Sequence, residues 1–251
     1  ALAEASSIFA CLPDGALVIA DGLAFGVMDE IATRESQRLN IIALCHHPLA
    51  LETGISEQQS RLLTISETRA LAAAKAVIVT SAMTGRIIAR DFAVAPEKII
   101  LARPGTQQQK FAVGNNPIPQ LLTVATLTKR KGHDLLITAL ARISHLPWHA
   151  QFVGGLGFDP LWAAHLQQLV QQNNLEQRIT FAGNVDDISA EFFGADVFVL
   201  PSYFEGYGMA FAEALSFGLP VIAANAGSVP YLVPASGGIL IPPGDVNALT
   251  T

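Results

Sequence analysis

Two carboxylates, Glu205 and Glu213, lie in an otherwise apolar stretch, PSYFEGYGMAFAEALSFGLPVIAAN (201–225), with seven residues between them. From Gly206 to Gly244 the one charged residue is Glu213, so the segment is not an ordinary solvated helix face. A helix that is apolar all round is a buried one, and a buried carboxylate needs a partner. Two kinds of partner suit Glu213: the adjacent hydroxyls of a diol such as a ribose, or a Lys or Arg in a buried ion pair. Glu205 stands where the strand DVFVLP runs out into a Gly-bearing turn. Behind it the amides of Tyr207, Gly208, Met209 and Ala210 open a helix, where free N–H groups and the helix dipole suit an anion or sugar hydroxyls. Gly206 and Gly208 permit close approach to the backbone.

A second cluster is basic. From Gln120 onward there are five Lys or Arg against ten Asp or Glu, and three of the five are consecutive: Lys129, Arg130 and Lys131. They occupy the turn of TVATLTKRKGHDLL, between a strand and a helix expected from Gly132. A basic turn is often only solvated, but this concentration in an acidic half marks an anion site, with Lys131 as a point charge for phosphate. FVGGLGFDP is not a dinucleotide fingerprint: it lacks the third glycine, and Asp159-Pro160 caps the next helix. In the first half, NIIALCHHPLALETG ends a strand with His46 and His47, followed by Glu52. Alternation along a strand sends the two imidazoles in different directions, and His46 is the one expected to face a ligand. No His or Cys spacing suggests a metal site.

These residues need a scaffold that brings strand ends together. Only 14% of the 251 residues are charged, against about 25% in an average soluble domain, so much of the chain is buried or some normally covered surface is exposed. No uncharged run is free of helix breakers over the ~20 residues of a membrane span, and no basic-then-apolar leader opens the chain, which suggests a cytoplasmic protein. The net charge of −6 argues against nucleic-acid binding. Cys11 and Cys45 sit beside apolar runs and read as reduced core residues. Strand-like runs at 16–20, 40–46, 76–81 and 98–103 alternate with helical stretches, including one that Ser56 could cap. Residues 104–119, with three prolines and no periodicity, read as a linker. The alternation resumes from 120 to 251. The expected fold class is α/β: two Rossmann-like doubly wound domains, 1–103 and 120–251, facing each other across a cleft.

FEGYGMAFAEALSFGLPVIAANAGSVPYLV, LLTVATLTKRKGHDLLITAL and LCHHPLALETG together resemble the GT-B retaining glycosyltransferases of family 4. The resemblance implies a UDP- or GDP-linked nucleotide-sugar donor, no cofactor and no metal. The acceptor would be a carbohydrate, a lipid-linked or a small molecule, and peripheral membrane association is compatible with it. Carried over by position, Glu205 would hold hydroxyls of the transferred sugar, Glu213 the ribose, and the amides after Gly206 the sugar and diphosphate. Lys131 matches the family's phosphate-binding lysine. Thr126 stands where an arginine is often found, a departure from the family pattern under which tight diphosphate binding would require Arg130 to compensate. Backbone groups at Gly183, Asn184 and Val185 would meet the base, and His46 would orient the transferred sugar. The reaction implied is same-face attack, the leaving diphosphate helping to deprotonate the acceptor. ALAEASSIFACLPDG lacks the opening strand and Gly-rich loop of the family and GDVNALTT stops at an incipient helix, so the chain reads as a fragment, with an incomplete first domain and little transferase activity of its own. Two alternatives share the architecture: a nucleotide-sugar epimerase and a bilobed solute-binding protein.

Overall fold

The computed structural model describes residues 1–251, which divide into two compact units, Ala1–Pro104 and Gly105–Thr251. The first unit holds a four-stranded parallel sheet of β1 (Leu17–Asp21), β2 (Asn40–Cys45), β3 (Ala76–Val79) and β4 (Ile99–Leu101), in the order β1-β2-β3-β4. Its helices are α1 (Leu2–Cys11), α2 (Gly22–Phe25), α3 (Asp29–Glu35), α4 (Glu57–Ala73) and α5 (Ala82–Asp91). The strands arise where β-branched runs alternate. In β2, Ile41, Ala43 and Cys45 point into the core while the residues between them are half-buried, the period-2 signature of a strand. Helix α4 starts at a capping box: Ser56 Oγ accepts from the Gln59 amide and Gln59 Oε1 accepts from the Ser56 amide, which satisfies two of the donors a helix start leaves over. Helix α1 has no counterpart in the sequence reading. Cys45 is a core residue, its thiol pushed up to about 12 by burial. Cys11, expected in the core, is exposed at the end of α1, because the helix buries only Phe9.

The second unit is a six-stranded parallel sheet of β5 (Gln120–Val124), β6 (His149–Val153), β7 (Ile179–Gly183), β8 (Val197–Leu200), β9 (Val221–Ala224) and β10 (Gly238–Ile241), in the order β10-β9-β8-β5-β6-β7. Helices α6 (His133–Arg142), α7 (Pro160–Gln172), α8 (Ile188–Gly194), α9 (Met209–Ser216), α10 (Val229–Leu232) and α11 (Val246–Thr250) connect them. One core cluster stacks Phe192, Phe198, Phe211 and Phe217; the other gathers Leu136, Ile137, Trp148 and Leu166. The chain runs outward from β5 to β7, then returns to build β8 to β10 on the other side. The β5 and β8 exits therefore lie at the topological switch point, where an open α/β sheet leaves a crevice at its carboxyl edge. Residues 105–119 carry no helix or strand but belong to this unit. The Ala112 amide donates to the Phe217 carbonyl at 2.8 Å, and Asn116 Nδ2 donates to Asp196 and to the Gly194 carbonyl at 3.0 Å each.

Close packing of the β5 and β6 exits requires Gly154. Its φ is 155°, and a Cβ there would stand 1.9 Å from the Ala125 carbonyl oxygen, far inside van der Waals contact with backbone that cannot give way. Gly154→Ala should lower the stability of the second unit by at least about 1–3 kcal/mol, the usual cost of overpacking. A thermal unfolding midpoint unchanged from wild type would refute this account of the strand exits.

Candidate functional site

The expected helix beginning at Gly132 is preceded by a single 3-10 turn, Lys129–Lys131, and Gly132 adopts a left-handed φ of 69° to end it. Only glycine fits: a Cβ would lie 2.5 Å from the Pro201 carbonyl oxygen. The turn after β5 thus lies directly on the segment after β8. The Tyr203 amide donates to the Arg130 carbonyl at 2.8 Å, and Arg130 Nη1 donates to the Phe204 carbonyl at 2.9 Å. Side chains complete the junction. Lys131 Nζ donates to Glu205 Oε1 at 2.7 Å, with Arg130 Nη1 3.8 Å from Oε2. Glu205 is 6% exposed.

A third loop fixes the Glu205 backbone. The Ser228 amide donates to the Glu205 carbonyl at 3.0 Å, and Ser228 Oγ donates to the Gly206 carbonyl at 2.6 Å. Gly227 lies so close that a Cβ would meet the Glu205 carbonyl oxygen at 2.4 Å. Gly208, φ 98°, then caps α9, whose first amides, those of Met209 and Ala210, donate to no backbone carbonyl. Gly206 and Tyr207 lie in the turn between Glu205 and this cap. The two sequence-predicted clusters, 129–131 and 205–210, therefore form one site.

The buried ion pair considered for Glu213 is found at Glu205 instead. Glu213 has no cation within salt-bridge distance and is only half-buried, and burial raises its carboxyl above the ordinary value. It lines a cavity of about 210 Å³ together with Met209 and Ser216 of α9, Ser189 of α8, and Gln107 and Gln109. The last two went unnoticed because their segment reads as a linker; its lack of periodicity carries no sign of what it packs against. Thr126 is an exposed turn residue beyond β5, and Asn184 and Val185 follow β7, where Gly183 takes a φ of 68°. Asn184 is exposed beside Gly155, and Val185 packs on the aromatic cluster of the core.

Several polar groups around the Lys131–Glu205 junction are buried yet make no hydrogen bond to the protein: both ring nitrogens of His133, Asp134 Oδ1, Thr128 Oγ1 and Ser202 Oγ. Burial, reinforced by the charge of Lys131, pushes the His133 imidazole down to about 4. Its ring meets Phe152 edge to face at 5.4 Å.

In the first unit β2 ends at Cys45, so strand alternation does not reach His46 and His47, which differ in exposure. His46 is exposed, its Nε2 3.2 Å from Asp21 Oδ2, while the His47 ring nitrogens are buried. Asp21 also accepts from the Leu23 amide at 2.9 Å. It was missed by sequence reasoning, although a strand ending in Asp-Gly is the available signal. No group of three or more His, Cys, Asp or Glu is arranged to hold a metal ion, and no helix is long and apolar enough to cross a membrane.

The family model for glycosyl transferases group 1 matches residues 106–251. A Salmonella typhimurium protein named as a colanic acid biosynthesis glycosyltransferase, WcaL, is 33% identical over 171 residues, which cover 61% of this chain and 41% of WcaL. Glycogen synthase of Deinococcus deserti is 35% identical over 135 residues, 53% of this chain and 29% of that protein. The solved sucrose-phosphate synthase of Thermosynechococcus elongatus superposes with a TM-score of 0.82 at 27% identity, covering 99% of this chain and 66% of its own. The shared fold class is the GT-B architecture. The chain spans about two fifths or less of the length of these curated relatives.

The His133 imidazole carries a pH dependence whose sign is fixed. Its folded value of about 4 lies below the ordinary 6.5, so the folded unit keeps it neutral while the unfolded chain takes up a proton. Its contribution is fully present above the ordinary value and is lost as pH falls toward the folded one. The loss should be on the order of 3 kcal/mol over that window. Chemical denaturation of wild type and His133→Leu across that range checks it; parallel curves would refute the assignment.

Proposed function

Because the chain belongs to the glycosyl transferases group 1 family, we propose that the protein is a glycosyltransferase that moves a sugar from a nucleotide-sugar donor to an acceptor with retention of anomeric configuration. The observation that carries this reading is the convergence of Lys131 and Arg130 on Glu205 at the switch point, beside unbonded amides at the start of α9. Cations, a carboxylate and helix amides together meet what such a donor presents: two phosphates, a ring of hydroxyls and a ribose.

Each group then has a task. Lys131 and Arg130 neutralise the donor diphosphate and the charge that grows on it as the glycosidic bond breaks, which is where electrostatic catalysis is most effective. This assigns the leaving-group charge to side chains rather than to a metal ion. Glu205 is bound by Lys131 through one oxygen. Its other oxygen stands 3.8 Å from Arg130, too far for a hydrogen bond, and keeps its lone pairs for a sugar hydroxyl. Glu213 accepts from the ribose hydroxyls; its raised carboxyl is the consequence of burial without a cation. Asn184 and Val185 supply contacts to the base, Thr126 lines the approach to the diphosphate, and His46 orients the transferred sugar. Placing donor and acceptor for same-face attack asks the protein for orientation and charge stabilisation, and no protein nucleophile is required.

Two measurements test this. Lys131→Ala should weaken a nucleoside diphosphate much more than the bare nucleoside, by about tenfold or more in the ratio of affinities. The ratio, unlike either affinity, is insensitive to the fraction of the variant that is folded. Equal losses would remove Lys131 from the phosphate site. Glu213→Gln should keep the fold and weaken nucleoside binding by about 1.5–3 kcal/mol, the worth of a hydrogen bond to a charged group. Unchanged affinity in calorimetry would sink the ribose assignment.

A further inference from the structure

One buried carboxylate of the first unit has no part in the chemistry above. Glu67, on α4, is 4% exposed and has no cation partner; its carboxylate is turned onto the segment that follows β2. Oε1 accepts from the Leu49 amide at 2.7 Å and Oε2 from the Ala50 amide at 2.8 Å. Two turns away on the same helix, Ser60 Oγ donates to the Ala50 carbonyl at 2.7 Å. Both backbone polar groups of Ala50 are thereby held by α4.

The held residues lie immediately beyond His46-His47-Pro48. Pro48, with φ −61°, removes a torsional freedom between the clamp and the histidines. Glu67 also packs on Gly26, the residue that ends the one-turn helix α2 capped by Asp21. A Cβ on Gly26 would come 2.8 Å from Glu67 Cγ, so that glycine is what lets the turn approach. Asp21 is in turn the residue that meets His46 Nε2, at 3.2 Å. A single side chain thus braces both the loop that carries His46 and the segment that carries its partner.

We infer that Glu67 is a positioning residue: by accepting the Leu49 and Ala50 amides it fixes the loop on which His46 is presented, and transfer depends on it through His46. This rests on the proposed role of His46 as the residue that orients the transferred sugar. Two features favour it over plain structural filling. A carboxylate buried without a cation is an expensive way to stabilise a helix, and its carboxyl is held above the ordinary value by burial although the two amides pull the other way. The charge is also applied to two successive amides of one loop, a bidentate arrangement that fixes position and orientation together. An uncharged side chain can reproduce only half of it: a carboxamide at this position offers one acceptor oxygen and sets an NH2 group against the second amide.

The test is a mutant cycle on the intact protein, read by transfer rate, nucleotide affinity and amide exchange. In Glu67→Gln, exchange at Leu49 and Ala50 should accelerate about tenfold or more, and kcat should fall about 10- to 100-fold, as expected for losing one hydrogen bond to a charged group. Affinity for a nucleoside diphosphate, a property of the second unit, should not change. The double variant Glu67→Gln/His46→Ala should be no slower than His46→Ala alone, because residues acting through one another are not additive. Losses that multiply, or a kcat unchanged while Leu49 and Ala50 lose protection, overturn the positioning role and leave the proposed function standing. A His46→Ala variant with wild-type kcat would instead overturn the role proposed for His46. Unchanged exchange at Leu49 and Ala50 in Glu67→Gln would show that the clamp itself is wrong.

Discussion

The second unit is organised around a lysine ammonium and a glutamate carboxylate that meet at 2.7 Å, 74 residues apart in sequence, with little water around either. Bringing two charges out of water costs several kcal/mol per ion, and that cost is offset only if the geometry is good and the remaining polar groups are satisfied. The backbone around the pair meets those terms, while the Thr128 and Ser202 hydroxyls and the His133 ring beside it make no hydrogen bond to the protein. The Arg130 carbonyl and guanidinium both bond the 203–204 backbone, and Ser228 fixes Glu205 and Gly206 from the other side. Three glycines allow it: Gly132 against Pro201, Gly227 against Glu205, and Gly208 at the start of α9. A side chain at Gly132 or Gly227 would collide with the backbone of the junction, and one at Gly208 would press on the Phe211 ring of α9.

Strand order explains why the pair can exist. β5 and β8 are neighbours in the sheet although β6 and β7 lie between them in sequence. The helices that follow them, α6 and α9, pack into the two separate core clusters, while the turns between strand and helix meet at the carboxyl edge. Charged groups can be concentrated there without interrupting the apolar core, because the carboxyl ends of the strands lie at the edge of the sheet. Glu213, one helix further on, shows the contrasting solution: no cation, half-burial and a cavity wall. The two glutamates therefore differ in electrostatic state despite sharing one short segment.

The first unit holds its polar residues differently. Its sheet has no reversal of order, and His46 is not buried but exposed at the end of β2 beside Asp21. Definition comes from outside the sheet, from Glu67 and Ser60 on α4, which bond the loop backbone directly. A loop fixed by backbone acceptors keeps its shape while its side chains remain free to meet a ligand.

Much of this was legible from residue order. Period-2 alternation set the strands of both sheets to within a residue or two, since burial on one face of a pleated strand imposes that period. The isolation of Glu213 and the clustering of Lys129, Arg130 and Lys131 drew attention to the two segments that the fold brings together, because charges in apolar or acidic company are rare without a reason. Other features depended on tertiary contact alone. Nothing in the order of residues tells Glu205 from Glu213 as the partner of Lys131; that follows from β8 being inserted beside β5. The segment 105–119 has no period because its bonds go to Phe217, Gly194 and Asp196 rather than to itself. Glu67 is silent in sequence for the same reason: within SETRALAAAKA it looks like a solvated helix position, and only the packing of α4 on the loop after β2 turns it inward. Local periodicity encodes what each segment buries, whereas the pairing of polar groups is decided by which segments the sheet order brings together.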